Sequence, residues 1–190
     1  MSSIVVEPSS TAQWHALVGE AQALCERRLD EDLESHLVFV LMRFVGRPEM
    51  AAAVLALDYL TGMESVGRIR ADQLRDVGDK CLLYSGFFPQ RAERRRVKLS
   101  YYIDLGRSAY LAVSEQAAPS FAEFYYHLAD DFVAMRDVLQ AMRELGGQDA
   151  ALDPLQAMAL WQESGSRRAR QTLESATDAT PVADPSERKH

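Results

Sequence analysis

The chain reads as an all-α protein: a single-domain bundle of six to seven helices with a disordered C-terminal tail. Three observations predict this. Apolar residues recur at three- and four-residue steps through almost every segment, which gathers them on one helix face. Glycine and proline mark segment ends, at Gly46 and Pro48, at Gly86 and Pro89, and at Gly146 and Gly147. Hydrophobic residues make up 47% and charged residues 26% of the 190 positions. That is the balance of one globular domain, which buries roughly 70% of its unfolded surface.

Residues 1–9 form an N-terminal extension, 10–175 the helical domain and 176–190 the tail. Ser10 with Gln13 has the pattern of a capping box and opens the first helix, with Trp14, Leu17, Ala21, Leu24 and Leu29 inward. A second helix runs from about Asp30 to Phe44. Its Leu37 to Met42 stretch is also strand-friendly, but Leu33, Leu37, Leu41 and Phe44 repeat at helical steps. The third covers Glu49 to Leu60 and stops at Gly62. The fourth, Gly67 to Ser85, sets Leu74, Val77, Cys81, Tyr84 and Phe88 on one seam.

A connector over Gln90 to Val97 leads to the fifth helix, with Leu99, Tyr102, Gly106, Tyr110 and Val113 on one side. Pro119 and the capping pair Ser120 and Glu123 start the longest helix, which runs unbroken to Gly146. Phe121, Phe124, Leu128, Phe132, Met135, Leu139 and Met142 face inward along it. Asp153-Pro154 with Gln156 opens a seventh, through Trp161, and Ser166 to Ser175 adds a frayed turn or two. Ala176 to His190 holds two prolines and no apolar period, so it is read as disordered.

The net charge of −7 favours solubility and argues against nucleic acid as a general partner, because a phosphate backbone is repelled over most of such a surface. Its apolar runs fall far short of the ~20 residues a bilayer requires, so no membrane partner is expected. Cys25 and Cys81 are too few for a disulfide scaffold and read as buried thiols of a cytoplasmic protein. Residues 64–100 are locally basic, with nine bases against five acids.

The stretch from Gly78 to Tyr110 is the densest in candidate residues. Gly78 and Gly106 each cost roughly 1 kcal/mol relative to alanine inside a helix, so a close contact should compensate. Two helices crossing at these small-residue faces is the favoured reading, with a ligand cleft beside Tyr84, Tyr102 and Tyr110 as the alternative. Asp79 sits off the main seam, and solvent exposure is its simplest placement. If buried, it needs a donor such as a tyrosine hydroxyl or an arginine. Gly78, Asp79, Tyr84, Tyr102, Gly106 and Tyr110 are therefore the interface or cleft candidates.

Arg94, Arg95 and Arg96 beside paired aromatics are candidates for anion binding, weighed against a solvated connector that pairs with acidic helices. Glu123, His127 and Asp130 lie on one helix face and offer metal-ligand types. Their spacing matches neither the paired Glu-x-x-His of di-iron bundles nor His-Glu-x-x-His, so a polar face without metal is expected. Asp32 and His36 form a second, weaker pair. The chain holds no glycine-rich phosphate loop, no Gly-x-Ser-x-Gly and no Cys-x-x-Cys, so no catalytic group is assigned and no cofactor is expected.

Gly78, Asp79, Leu82, Gly86, Phe88 and Pro89 spell G-D-x-x-L-x-x-x-G-x-F-P, and Tyr101, Tyr102, Gly106, Ala109 and Tyr110 spell Y-Y-x-x-x-G-x-x-A-Y. In these blocks the chain resembles a family of small helical bacterial proteins of unknown function. The resemblance covers about a third of the chain and implies a cytoplasmic bacterial protein; it carries over no activity and no catalytic residue. The functional expectation is a helical interaction or regulatory module, homodimeric or bound to a protein partner. The alternative is a helical enzyme or cofactor binder with a pocket around Asp79, Tyr102, Tyr110 and His127.

Overall fold

A computed structural model describes residues 10–44, 54–147 and 152–176. Every regular element among these is helical, so the all-α class holds, and the strand alternative for 37–42 gives way to helix. The extension over 1–9, the break at Gly46 and Pro48, and the tail beyond Ala176 lie outside the described residues.

The helices are α1 (Ser10–Leu24), α2 (Glu31–Phe44), α3 (Leu55–Glu64), α4 (Gly67–Gly86), α5 (Pro89–Arg94), α6 (Leu99–Ser114), α7 (Pro119–Asp130), α8 (Phe132–Leu145), α9 (Pro154–Ser164) and α10 (Arg167–Ala176). The spine is α4 packed along α6. Around it, α3 lies on α4, α7 on α6, and α8 on both α1 and α4, while α9 and α10 pair, α10 against α8 and α9 against α6. Leu37, Leu41, Leu82, Tyr84, Ile103, Phe132, Met135 and Leu139 are buried where these helices meet. Of the inward residues expected from the apolar period, Leu74, Val77, Cys81, Tyr84, Phe132, Met135 and Leu139 are buried, whereas Leu17, Leu24 and Phe121 are exposed.

Several boundaries differ from the sequence reading, each for a local reason. The long helix from Pro119 is two helices, because Asp131 leaves helical geometry at φ −88°, ψ 12°. The break lets α7 follow α6 while α8 turns towards α1 and α4. Ser120 does not cap α7: Ala118 is the N-cap residue, with no side-chain bond, and Pro119 occupies the first turn. Gly62 does not stop α3 but is buried within it, where Leu74 Cδ2 would lie 2.9 Å from an added Cβ. The chain turns at Ser65 instead, and the Arg70 guanidinium caps the end by donating to the Met63 carbonyl at 2.6 Å. The connector contains α5, and the expected frayed turn after Ser166 is the full helix α10. At α9, Asp153 caps as anticipated, accepting from the Leu155 amide at 2.8 Å.

Candidate functional site

The chemistry of the domain gathers where α2, α4, α6 and α7 meet. Helix α4 puts Gly78 and Asp79 on the face turned to α6, and α6 presents Tyr110 opposite. With no side chain at Gly78, the Tyr110 ring sits close against α4 there; an added Cβ would stand 2.4 Å from Tyr110 Cε1. This position lets the phenol reach the next residue, donating to Asp79 Oδ1 at 2.7 Å. From α2, His36 Nε2 lies 3.0 Å from the same oxygen and 3.4 Å from the Tyr110 hydroxyl. Asp79 is therefore fully buried, not exposed, and its donors are a tyrosine hydroxyl and an imidazole.

Two donors on one oxygen suit a carboxylate. That arrangement puts the proton of a neutral His36 on Nε2 and leaves Nδ1 as the acceptor of the ring. Burial, and then the Asp79 charge, push the Tyr110 hydroxyl well above the ordinary tyrosine range, so it remains a donor at neutral pH. The second carboxylate oxygen, Asp79 Oδ2, is buried without a hydrogen-bond partner. Arg43 Nη1 lies 3.9 Å from it, and that guanidinium's own fork is engaged by Asp76 at 2.8 and 3.0 Å.

Above this hub the surface opens. His36 lines a groove of about 540 Å³ together with Asp32, Ser35, Ser120, Phe121 and Phe124. Phe124 meets the imidazole edge-on at 5.6 Å, and Phe39 and Tyr110 complete an aromatic collar at 6.3 and 6.0 Å. The imidazole thus links an open, partly apolar groove to a buried carboxylate. The i, i+4 pair of Asp32 and His36 had pointed to this helix. The true partner of His36 was hidden because Asp79 is 43 residues away in sequence.

The other candidates divide. Gly106 does not pair with Gly78: its missing Cβ makes room for Phe132 of α8, at 2.5 Å from the ideal position, and for Cys81 Cβ at 2.8 Å. Helices α4 and α6 do approach closely there, but the space is shared with a third helix. Tyr84 and Tyr102 form a separate stack, with ring centres 5.5 Å apart, under Arg95. Gly78, Asp79, Tyr84, Tyr102, Gly106 and Tyr110 are all interior, so none offers a face to a second chain. Arg94, Arg95 and Arg96 are exposed at the end of α5.

Half-exposed His127 has Nε2 3.9 Å from Glu123, whereas Asp79 contacts His36 and Tyr110. Among the described residues no three His, Cys, Asp or Glu side chains come together as a metal site requires.

A second polar cluster escaped the sequence reading because it sits inside an apolar period. Arg136 and Asp137 of α8 are fully buried, joined at 3.0 Å. Arg136 Nε also donates to the Ser85 carbonyl at 3.1 Å. Asp137 accepts from the Ser166 hydroxyl at 2.5 Å and from the Arg168 amide at 3.3 Å. These contacts tie α10 to the core, and Ser166 also caps that helix by accepting from the Ala169 amide at 3.1 Å. Arg168 further pairs with Glu144.

No described helix is long and apolar enough to cross a membrane. Comparison of the chain with protein-family models, with curated proteins and with solved structures finds no match.

Proposed function

We propose that the chain is a cytoplasmic bacterial binding module of regulatory type, which holds a small molecule in the α2–α7 groove against His36. The observation that supports this is the His36–Asp79–Tyr110 hub beneath an open groove. A buried carboxylate and an imidazole bonded to it are costly to assemble, and the buried His36 is among the residues that line the groove. Phe121 and Phe124 suit an aromatic or aliphatic body, and Asp32, at the rim, a positively charged amine. Phenethylamine has both parts and serves as the probe. Native mass spectra with it should show a one-to-one adduct that is lost in Asp32→Asn and in Phe121→Ser. Equal adduct in wild type and both variants would remove the groove from consideration.

Self-association belongs to the same reading, on a different surface. Leu57, Leu60, Val66 and Ile69 are exposed along α3 and the start of α4. Glu64 and Arg68, the latter paired with Asp72 on its own helix, sit among them with opposite charges that a two-fold contact between copies could bring together. Leu60→Asp should convert a dimer to a monomer in light scattering; a wild-type monomer would exclude self-association.

The enzyme alternative draws on the same imidazole. Asp79 orients His36 as a dyad orients a general base, and the hydroxyls of Ser35 and Ser120 share its groove. Ester hydrolysis of p-nitrophenyl acetate that disappears in His36→Gln would favour it; hydrolysis unchanged by that substitution would exclude it.

A further inference from the structure

The basic connector carries a second cleft, distinct from the groove at His36. Residues of α3, the α5–α6 connector and the first turns of α6 line an open cleft of about 630 Å³, among them Arg95, Arg96, Lys98, Ser100, Tyr101, Tyr102 and Asp104. That volume matches ordinary small-molecule sites of roughly 300–1,000 Å³. From these observations we infer that this cleft binds a nucleotide, its phosphates at Arg95 and Arg96 and its base on Tyr101.

The cationic end is built by the backbone. Arg96 is one of two non-glycine residues with a left-handed backbone among those described, at φ 55°. It is exposed and makes no ion pair with a described residue. Arg95 hydrogen-bonds Tyr102 and lies over the Tyr84 ring at 5.8 Å, which fixes one guanidinium against the aromatic wall. Lys98 is held back at 2.9 Å by Glu163, whose carboxyl is kept below the ordinary range by the Ser100 hydroxyl and by Lys98 itself. Arg96 is therefore the group for a bidentate phosphate contact, with Arg95, bonded to Tyr102, and Lys98, paired with Glu163, adding positive charge at the same end.

The aromatic end is a ladder from core to surface. Tyr84 stacks on Tyr102 at 5.5 Å, and Tyr102 meets Tyr101 edge-on at 5.5 Å. Tyr101 is the exposed last rung, 43% accessible, with its ring supported from below. An aromatic base can cover such a ring without reordering it. Asp104 lines the same cleft and supplies an acceptor for ribose hydroxyls or an exocyclic amine. It also opposes a ligand that is anionic along its whole length. Two cations at one end, a tyrosine face and one carboxylate suit a molecule anionic only at one end.

Isothermal titration of the full-length protein with ADP, adenosine and pyrophosphate tests this. ADP should bind at least tenfold more tightly than either fragment, and its affinity should fall as salt rises. Arg96→Gln should weaken ADP at least tenfold, and Tyr101→Ala should weaken ADP but leave pyrophosphate unchanged. Neither residue is buried, so circular dichroism should show both variants folded. Pyrophosphate binding as tightly as ADP, adenosine matching ADP, or ADP indifferent to Arg96→Gln would each overturn the inference. So would the absence of ADP binding to the wild-type chain.

Discussion

The ring of Tyr110 fills the place that a side chain of Gly78 would take. Its Cε1 stands 2.4 Å and its Cζ 2.8 Å from the position of an ideal Cβ. The ring is held on its other sides by the hydroxyl bond to Asp79 and by Phe132, 5.9 Å away centre to centre. Gly78→Ala should therefore destabilise the fold. Overpacking of a full core typically costs about 1–3 kcal/mol, more than the ~1 kcal/mol that alanine returns in helix propensity. Urea unfolding checks the sign, and a more stable variant would mean that the ring moves freely.

Tyr110→Phe keeps the ring and removes the donor. Asp79 then retains His36 alone on Oδ1, with Oδ2 still unpartnered. A loss of about 1–3 kcal/mol is expected for a buried bond to a charged acceptor. The pH dependence follows from the raised hydroxyl. An acid whose folded value lies above its unfolded one contributes stability below the ordinary tyrosine value. That contribution is lost as pH rises from there towards the folded value. The wild-type melting temperature should therefore fall above about pH 10. The fall should be shallower in Tyr110→Phe, and equal slopes would contradict the assignment.

Both thiols should be silent in the native state. Burial, and after it the Asp137 charge, push Cys25 up to about 11, and burial pushes Cys81 higher still. Thiolate is the reactive form, so Ellman's reagent at about pH 8 should react with neither until urea is added. Rapid reaction of either thiol in the folded protein would show that its site opens.

Asp137→Ala should be among the most damaging single changes, because it strands the fully buried Arg136 guanidinium and frees the start of α10. Removing one partner of a buried pair costs about 3–5 kcal/mol. Chemical denaturation should show this, together with early hydrogen exchange in 167–176.

The expected residues divide by how far their partners lie along the chain. Leu74, Phe132, Met135 and Leu139 were legible because a helical period needs only local sequence. Gly78 and Asp79 could be singled out by their cost, and Tyr110's class of donor by Asp79's need. Their geometry was not legible, because Asp79 is met by residues 31 and 43 positions away. Asp131 looked like any polar position in a long amphipathic run, since a break of one residue leaves the period almost unchanged. Arg136 and Asp137 were passed over for a related reason: polar residues between apolar ones read as the outer face. Here α10 folds back and covers that face.

The most direct measurement is a long-range proton–nitrogen correlation spectrum of the histidine rings, at a pH where His36 is neutral. The hub requires His36 in the Nε2–H form, with a ring proton that exchanges slowly and a signal that changes in Asp79→Asn. His36 in the Nδ1–H form, or averaging as half-exposed His127 should, would contradict the arrangement on which the binding groove depends.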